Sequence, residues 1–127
     1  MSMLTGSQMK YLHVIYKAQK GNSGIRSVEV SRELGVTKAS VSRMVRLLME
    51  LGLVSIKRYG VVTLTLQGEN EGAAIHDKMT RILPFFSEYL KLEEPEALNS
   101  AYSFLYGFSD DCVEKLMGKG WTESRAV

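Results

Sequence analysis

The sequence predicts a mainly α-helical fold with one β-hairpin near its middle. Apolar residues recur at helical spacing over most of the 127 residues. One segment, residues 53–66, is instead rich in β-branched residues and contains a Tyr59–Gly60 turn. A composition of 45% hydrophobic and 24% charged residues is that of an ordinary globular protein. The chain is therefore expected to form one small domain with an appended helical lobe.

A glycine-rich turn separates the first two predicted helices. The first begins after Thr5 or Ser7, which are both suitable N-caps, and ends in the Gly-Asn-Ser-Gly segment 21–24. The second follows Ser27 and ends at Gly35, because glycine readily adopts the left-handed conformation that closes helices. Each helix carries one apolar face, formed by Met9, Leu12, Ile15 and Tyr16 in the first and by Val30 and Leu34 in the second.

The third helix and the hairpin follow directly. Thr37 is a favourable N-cap for a helix that runs to Leu51. Its expected core stripe comprises Val41, Met44, Val45, Leu48 and Leu51. The hairpin strands are predicted over 53–58 and 61–66, and Gly68 is expected to close this unit.

The remainder of the chain predicts a helical lobe. Pro84 lies inside the first helical run and predicts a kink or break near Leu83. Pro95 suits the first turn of a second helix, and Ser109 is a suitable N-cap for a short third one, in which Cys112 is expected as a small buried residue. From about residue 118 a loose tail is expected, with Trp121 as its anchor.

Two domains are expected, one over residues 1–70 that holds the first three helices and the hairpin, and a helical dimerisation domain over residues 71–127. A lobe of this size buries little of its own surface, which favours self-association as a homodimer. The expected interface comprises Ile75, Met79, Ile82, Phe86, Leu90, Tyr102, Leu105 and Tyr106.

Charge is divided unequally along the chain. Residues 1–68 carry ten Lys/Arg and three Asp/Glu, a net charge of +7. Residues 69–127 carry six Lys/Arg and eleven Asp/Glu, a net charge of −5, so the two parts sum to +2. A basic segment beside an acidic one indicates that the first part meets a polyanion.

Several classes of protein are not expected. No apolar run exceeds five residues, too few to cross a membrane, and the first residues lack the order of a secretory signal. The single cysteine cannot form an internal disulfide, and with two histidines it cannot complete a usual zinc site. No catalytic triad, phosphate-binding loop or paired-carboxylate motif is present, so no enzymatic activity is expected. A cytoplasmic location is therefore predicted.

One face of the third predicted helix suits a nucleic-acid groove. Lys38, Ala39, Ser42, Arg43 and Arg46 lie within about a third of the helix circumference, and this face contains no acid. Arg and Lys can contact phosphates or guanine edges, while Ala and Ser permit close approach. The hairpin tip adds two cations and a tyrosine ring, and such tips contact the DNA backbone or minor groove. The expected DNA-binding residues are Ser27, Thr37, Lys38, Ala39, Ser40, Ser42, Arg43, Arg46, Lys57, Arg58 and Tyr59.

Two short helices joined by a tight turn and followed by a hairpin form a winged helix-turn-helix. Residues 40–48 (SVSRMVRLL), 51–54 (LGLV), 59–61 (YGV) and 64–68 resemble the metal-dependent repressors of the diphtheria-toxin-repressor and manganese-transport-regulator type. The resemblance extends over roughly residues 5–117. It implies a winged-helix domain that binds double-stranded DNA and a helical lobe that forms the dimer.

The resemblance also implies Mn²⁺ or Fe²⁺ bound between the first helix and the dimerisation helices. The family's ligand positions fall on Lys10, His13, Met79 or Thr80, Tyr102, Leu105 and Tyr106. Of these residues, only His13 binds divalent ions well, and it is expected at the surface or at an interface. Lys10 places a cation where the ion would lie. We therefore expect no metal cofactor; His13 and His76 are the remaining candidate ligands.

These observations predict a transcriptional repressor that binds DNA without a metal ion, either constitutively or under a small non-metal effector. The aromatic run from Tyr102 to Phe108 is expected in the core or dimer contact, with an apolar effector pocket as the alternative. Two other interpretations remain open. One is a metal-responsive regulator with a non-standard ion site, and the other is a winged-helix module that binds a partner protein.

Overall fold

The computed structural model describes residues 4–21 and 23–118. It confirms the mainly α-helical fold class, with a winged helix-turn-helix followed by further helices. In chain order the elements are α1 (Gly6–Gly21), β1 (Ile25–Arg26), α2 (Ser27–Leu34), α3 (Lys38–Glu50), β2 (Val54–Lys57), β3 (Val61–Leu64), α4 (Leu66–Pro84), α5 (Glu94–Gly107) and α6 (Asp110–Met117).

The described residues form two compact units. One comprises Gln8–Ala74, and the other combines residues 4–7 with residues 75–118. These units divide between Ala74 and Ile75, within α4. The expected domain boundary after residue 70 also lies within α4. The expected tail with Trp121 lies outside the described residues, as does Asn22 of the predicted glycine-rich turn.

The wing is part of a three-stranded antiparallel sheet with the order β1-β3-β2. The two predicted strands pair with Val54 opposite Leu64 and Lys57 opposite Val61. The third strand, β1, was not predicted from the sequence, and it places Ile25 opposite Val62. The sheet therefore connects the wing to the segment that leads into α2.

The predicted limits of α2 are nearly correct. Ser27 is its first residue instead of preceding it, because Arg26 occupies the N-cap position. The Arg26 backbone N–H donates to Glu29 Oε1 at 3.0 Å, which satisfies one amide at the helix start. Gly35 ends the helix with φ of 67°, a left-handed conformation that glycine adopts without steric cost.

The predicted end of the hairpin is wrong. β3 ends at Leu64 and α4 begins at Leu66, so Gly68 lies inside a helix and does not close the unit. The Gly68 N–H donates to Thr65 Oγ1 at 3.0 Å, as in a helix N-cap. A Cβ on Gly68 would overlap the carbonyl oxygen of Leu53, so the start of α4 requires glycine at this point.

The predicted irregularity at Pro84 is confirmed. After this residue the helix continues as a π-helical turn, Phe85–Tyr89. The Leu90 N–H donates to the Phe85 carbonyl at 2.9 Å and closes this turn. Pro95 lies in the first turn of α5, and Ser109 caps α6, as predicted.

Most of the predicted core residues of the first three helices are buried, among them Leu12, Ile15, Val30, Val41, Val45 and Leu48. Leu51 is an exception and is exposed. It follows the last residue of α3, so it does not continue the apolar stripe before it. Met44 and Cys112 are half-buried, although both were expected in the core. No helix in the described ranges is long and apolar enough to cross a membrane.

Replacement of Gly68 by alanine should destabilise the fold by about 1–3 kcal/mol, because the new methyl group overlaps the Leu53 backbone. The midpoint of urea denaturation measures this change. Gly107→Ala is the control, since that helical glycine has open space around it and should gain up to about 1 kcal/mol. Equal stability of Gly68→Ala and the wild type would contradict this packing.

Candidate nucleic-acid interface

The exposed face of α3 carries the predicted cations. Val41, Val45 and Leu48 are buried on one side of the helix. Five other residues of the helix are exposed, namely Lys38, Ala39, Ser42, Arg43 and Arg46. The only acidic residue of α3 is Glu50, its last residue. The helix therefore presents positive charge and small side chains to solvent.

Hydrogen bonds at the start of α3 order part of this face. The Ser40 N–H donates to Thr37 Oγ1 at 3.0 Å, which confirms Thr37 as the N-cap. The Thr37 hydroxyl donates to Ser40 Oγ at 3.0 Å, and Arg43 Nη2 donates to the same oxygen at 3.4 Å. The Ser40 hydroxyl thus holds the Arg43 guanidinium along the helix surface. A DNA contact by Thr37, Ser40 or the half-buried Ser27 stays a prediction.

The turn between α2 and α3 is fixed by its own backbone. The Val36 N–H donates to the Ser31 carbonyl at 3.1 Å, and the Ser31 hydroxyl donates back to the Val36 carbonyl. Gly35 between them is left-handed and has no neighbour near the position of a Cβ. This residue is therefore needed for its backbone conformation, which sets the angle between the two helices.

The wing tip is a tight turn, Arg58–Gly60. Tyr59 and Gly60 both have left-handed backbones, with φ of 64° and 72°. The Tyr59 side chain is 82% exposed, and Lys57 and Arg58 are also exposed. The tip and α3 belong to the same compact unit, so the structure brings both predicted groups of cations together in one unit.

Arg26 is a further cation that sequence reasoning did not assign to the site. It is exposed, and its Nη1 donates to the Tyr59 carbonyl oxygen at 3.5 Å. The strand that places it, β1, has only two residues and therefore no recognisable period. Arginine is not a typical N-cap residue, so the sequence carried no signal for the position of Arg26.

The predicted dimer residues lie in the other unit and have very different exposures. Ile75, Met79, Ile82, Tyr102 and Leu105 are buried, Phe86 is half-buried, and Leu90 and Tyr106 are exposed. A groove of about 890 Å³ is lined by six apolar side chains, namely Ile82, Phe85, Phe86, Phe104, Phe108 and Leu116. Polar side chains, including Asn99 and Ser103, line another part of it. The role of these residues in a dimer stays a prediction.

The residues at the family's ligand positions do not fit an Mn²⁺ or Fe²⁺ site. His13 is 4% exposed, so its expected place at a surface is wrong; it lies within a fully buried stretch of α1, residues 11–15. His76 is half-buried. Within residues 4–21 and 23–118, no three His, Cys, Asp or Glu side chains lie together in a way that could hold a metal ion.

Tyr102, at another of these positions, is buried and protonated. Burial raises the pKa of its phenol from 10.0 to about 12, and the group is neutral near pH 7, as an ordinary tyrosine also is. A neutral phenol is a poor ligand for a divalent ion. The first turn of α1 lies against the same part of α5, since a Cβ on Gly6 would be 3.6 Å from the Tyr102 carbonyl oxygen.

A winged helix-turn-helix with a basic α3 face defines a DNA-binding transcriptional regulator. Residues 3–62 match the family model of the iron-dependent repressor N-terminal DNA-binding domain. An uncharacterized HTH-type transcriptional regulator of Methanocaldococcus jannaschii is 33% identical over 107 residues, which are 84% of this chain and 86% of the relative. The chain belongs to the iron-dependent repressor family.

Solved structures show the same fold. A hypothetical protein from Sulfolobus solfataricus has a TM-score of 0.63 at 22% identity, covering 91% of this chain and 88% of its own. The manganese regulator SloR has a TM-score of 0.74 at 25% identity and covers 86% of this chain. Only 51% of the SloR chain is matched, so the present sequence corresponds to about half of that regulator.

Proposed function

We propose that the protein is a repressor that binds double-stranded DNA as a homodimer, without Mn²⁺ or Fe²⁺. The observation that carries this proposal is the exposed, acid-free face of α3 in the same unit as a basic wing tip. Solvent-facing helices without a partner usually mix acidic and basic residues. An uncompensated basic face is suited to a polyanion.

The chemistry of the α3 face supports insertion into a major groove. Arg43 and Arg46 have planar guanidinium groups that can donate two hydrogen bonds to a guanine edge. The short side chains of Ala39 and Ser42 allow the helix backbone to approach the bases. Lys57 and Arg58 at the wing tip would meet the adjacent phosphates or minor groove.

A second copy of the chain is the proposed partner at the aromatic groove. The groove has four phenylalanine rings, of which Phe104 and Phe108 have centroids 4.3 Å apart. Phe108 is 47% exposed and Tyr106 is 59% exposed on the same segment. Apolar surface of this kind marks interaction sites, and a two-fold axis would bury it on both copies at once.

The donor set supports metal independence. The family's ligand positions hold a cation at Lys10, a buried neutral phenol at Tyr102 and a hydrocarbon at Leu105. The proposal therefore assigns regulation to a small non-metal effector or to none. Two hypotheses compete with this proposal. One is a metal-responsive regulator with a non-standard ion site, and the other is a winged helix that binds a partner protein. The following experiments distinguish them.

Arg43→Ala and Arg46→Ala should each weaken binding to a duplex selected from a random pool by about 1–3 kcal/mol, because each removes a base contact. Lys57→Ala should lower the affinity for all duplexes equally. It should also reduce the slope of log affinity against log salt concentration by about 1. Fluorescence anisotropy measures both effects. Arg81→Ala and Lys115→Ala are controls, because both side chains are exposed in the other unit. Unchanged binding by the Arg43→Ala/Arg46→Ala double variant would refute this reading face.

Binding to the selected duplex should be the same in chelator and in added Mn²⁺ or Fe²⁺, because the ligand positions do not fit these ions. Mg²⁺ at equal concentration corrects for the effect of divalent ions on the DNA. A tenfold gain with Mn²⁺ or Fe²⁺ over Mg²⁺, about 1.4 kcal/mol of coupling, would favour the metal-responsive alternative.

Phe108→Glu should convert the dimer into a monomer, because two carboxylates would be buried in the apolar contact. Analytical ultracentrifugation measures the change, and circular dichroism checks the fold. Leu66→Glu is the matched control, since Leu66 is exposed and lies in the other unit. A wild type that sediments as a monomer, or a dimeric Phe108→Glu variant, would contradict the proposed interface.

A further inference from the structure

Arg26 connects two parts of the proposed DNA-binding surface. Its backbone caps α2 and pairs with Val61 in the sheet. Its guanidinium extends to the wing tip, where Nη1 donates to the Tyr59 carbonyl oxygen at 3.5 Å. One residue therefore contacts both the helix-turn-helix and the tip of the wing.

The tip has a conformation that needs support. Tyr59 has φ of 64° and ψ of 27°, a region disfavoured for residues that carry a Cβ. Its side chain is 82% exposed, so packing of the ring does not hold the backbone in place. The hydrogen bond from Arg26 reaches this residue from outside the hairpin.

The backbone of Arg26 is itself firmly placed. Gly24, two residues earlier, has φ of 150°, and a Cβ there would be 2.6 Å from Val61 Cγ1 and 2.8 Å from the Val62 carbonyl oxygen. The chain therefore passes directly against β3 before it pairs with that strand. The Arg26 side chain extends from a position that the sheet fixes.

We propose that Arg26 is a positioning residue, which holds the left-handed turn at Tyr59 so that the wing tip has one fixed place relative to α3. Loss of the guanidinium would let the tip leave this conformation. Its effect on the hairpin does not depend on DNA, whereas its effect on DNA affinity rests on the proposed function.

Trypsin cleavage after Lys57 and Arg58 measures the opening of the tip without DNA, because proteolysis follows local opening. Arg26→Met should accelerate this cleavage by at least about fivefold. Arg32→Met, which removes an exposed arginine of α2, should leave the rate unchanged. Cleavage of Arg26→Met at the wild-type rate would overturn the proposal.

Tyr59→Asn provides a specific test, because asparagine tolerates the left-handed region much better than tyrosine. In this background, Arg26→Met should accelerate cleavage by less than about twofold relative to Tyr59→Asn alone. The same acceleration in both backgrounds would show that Arg26 does not act through the Tyr59 backbone, which contradicts the proposal.

In DNA binding, Arg26→Met should lower the affinity severalfold and leave the salt slope unchanged. A slope reduced by about 1 would indicate that Arg26 itself binds a phosphate, which would overturn the positioning role. Arg26→Met could be cleaved faster while the wild type does not bind duplex DNA. This combination would support the positioning role of Arg26 and refute only the proposed function.

Discussion

The orientation of α3 depends on three buried side chains, Val41, Val45 and Leu48. Burying each such side chain is worth about 1.5–3 kcal/mol, so rotation of the helix about its axis would be costly. Because these residues occupy one side, Arg43 and Arg46 must lie on the other. The Thr37 cap and the left-handed Gly35 then fix where the helix begins and how it follows α2. The basic face is thus a consequence of core packing.

Close backbone approaches give the wing a defined base. Gly24 lies against β3, and Gly68 lies against the Leu53 carbonyl at the foot of the hairpin. A Cβ on Gly72 would be 2.8 Å from the Tyr16 side chain, so α4 also lies close to α1. Three glycines therefore permit contacts that larger residues would prevent. The base of the wing is closely packed, whereas its tip has an exposed tyrosine and a hydrogen bond from Arg26.

Features governed by local chemistry were predicted well from the sequence. The caps at Thr37 and Ser109 and the stop at Gly35 depend on neighbouring residues alone, and all three are confirmed. The start of α4 was missed because the alternation of residues 61–66 continues past the last strand residue. A cap at Thr65 and a close tertiary contact at Gly68 determine that boundary, and the alternation does not show them.

The candidate site was likewise predicted only where it follows from a regular pattern in the sequence. Periodicity located the α3 face, because it follows from which side of the helix is apolar. It did not locate Arg26, whose place depends on a strand of two residues paired with a distant segment. Nor did it reveal that His13 is buried, since every residue from 11 to 15 is buried and no polar face remains on that part of α1.

The protonation of Tyr102 connects the fold to the question of regulation. With a pKa of about 12 in the folded protein against 10.0 for an ordinary tyrosine, the phenol is neutral in both states near pH 7. Its ionisation reduces stability only as the pH rises through the interval from about 10 to 12, where the unfolded chain loses the proton first. At neutral pH the group therefore acts as a packing residue. A protonated, packed phenol at this position accords with the proposal that DNA binding does not depend on an ion.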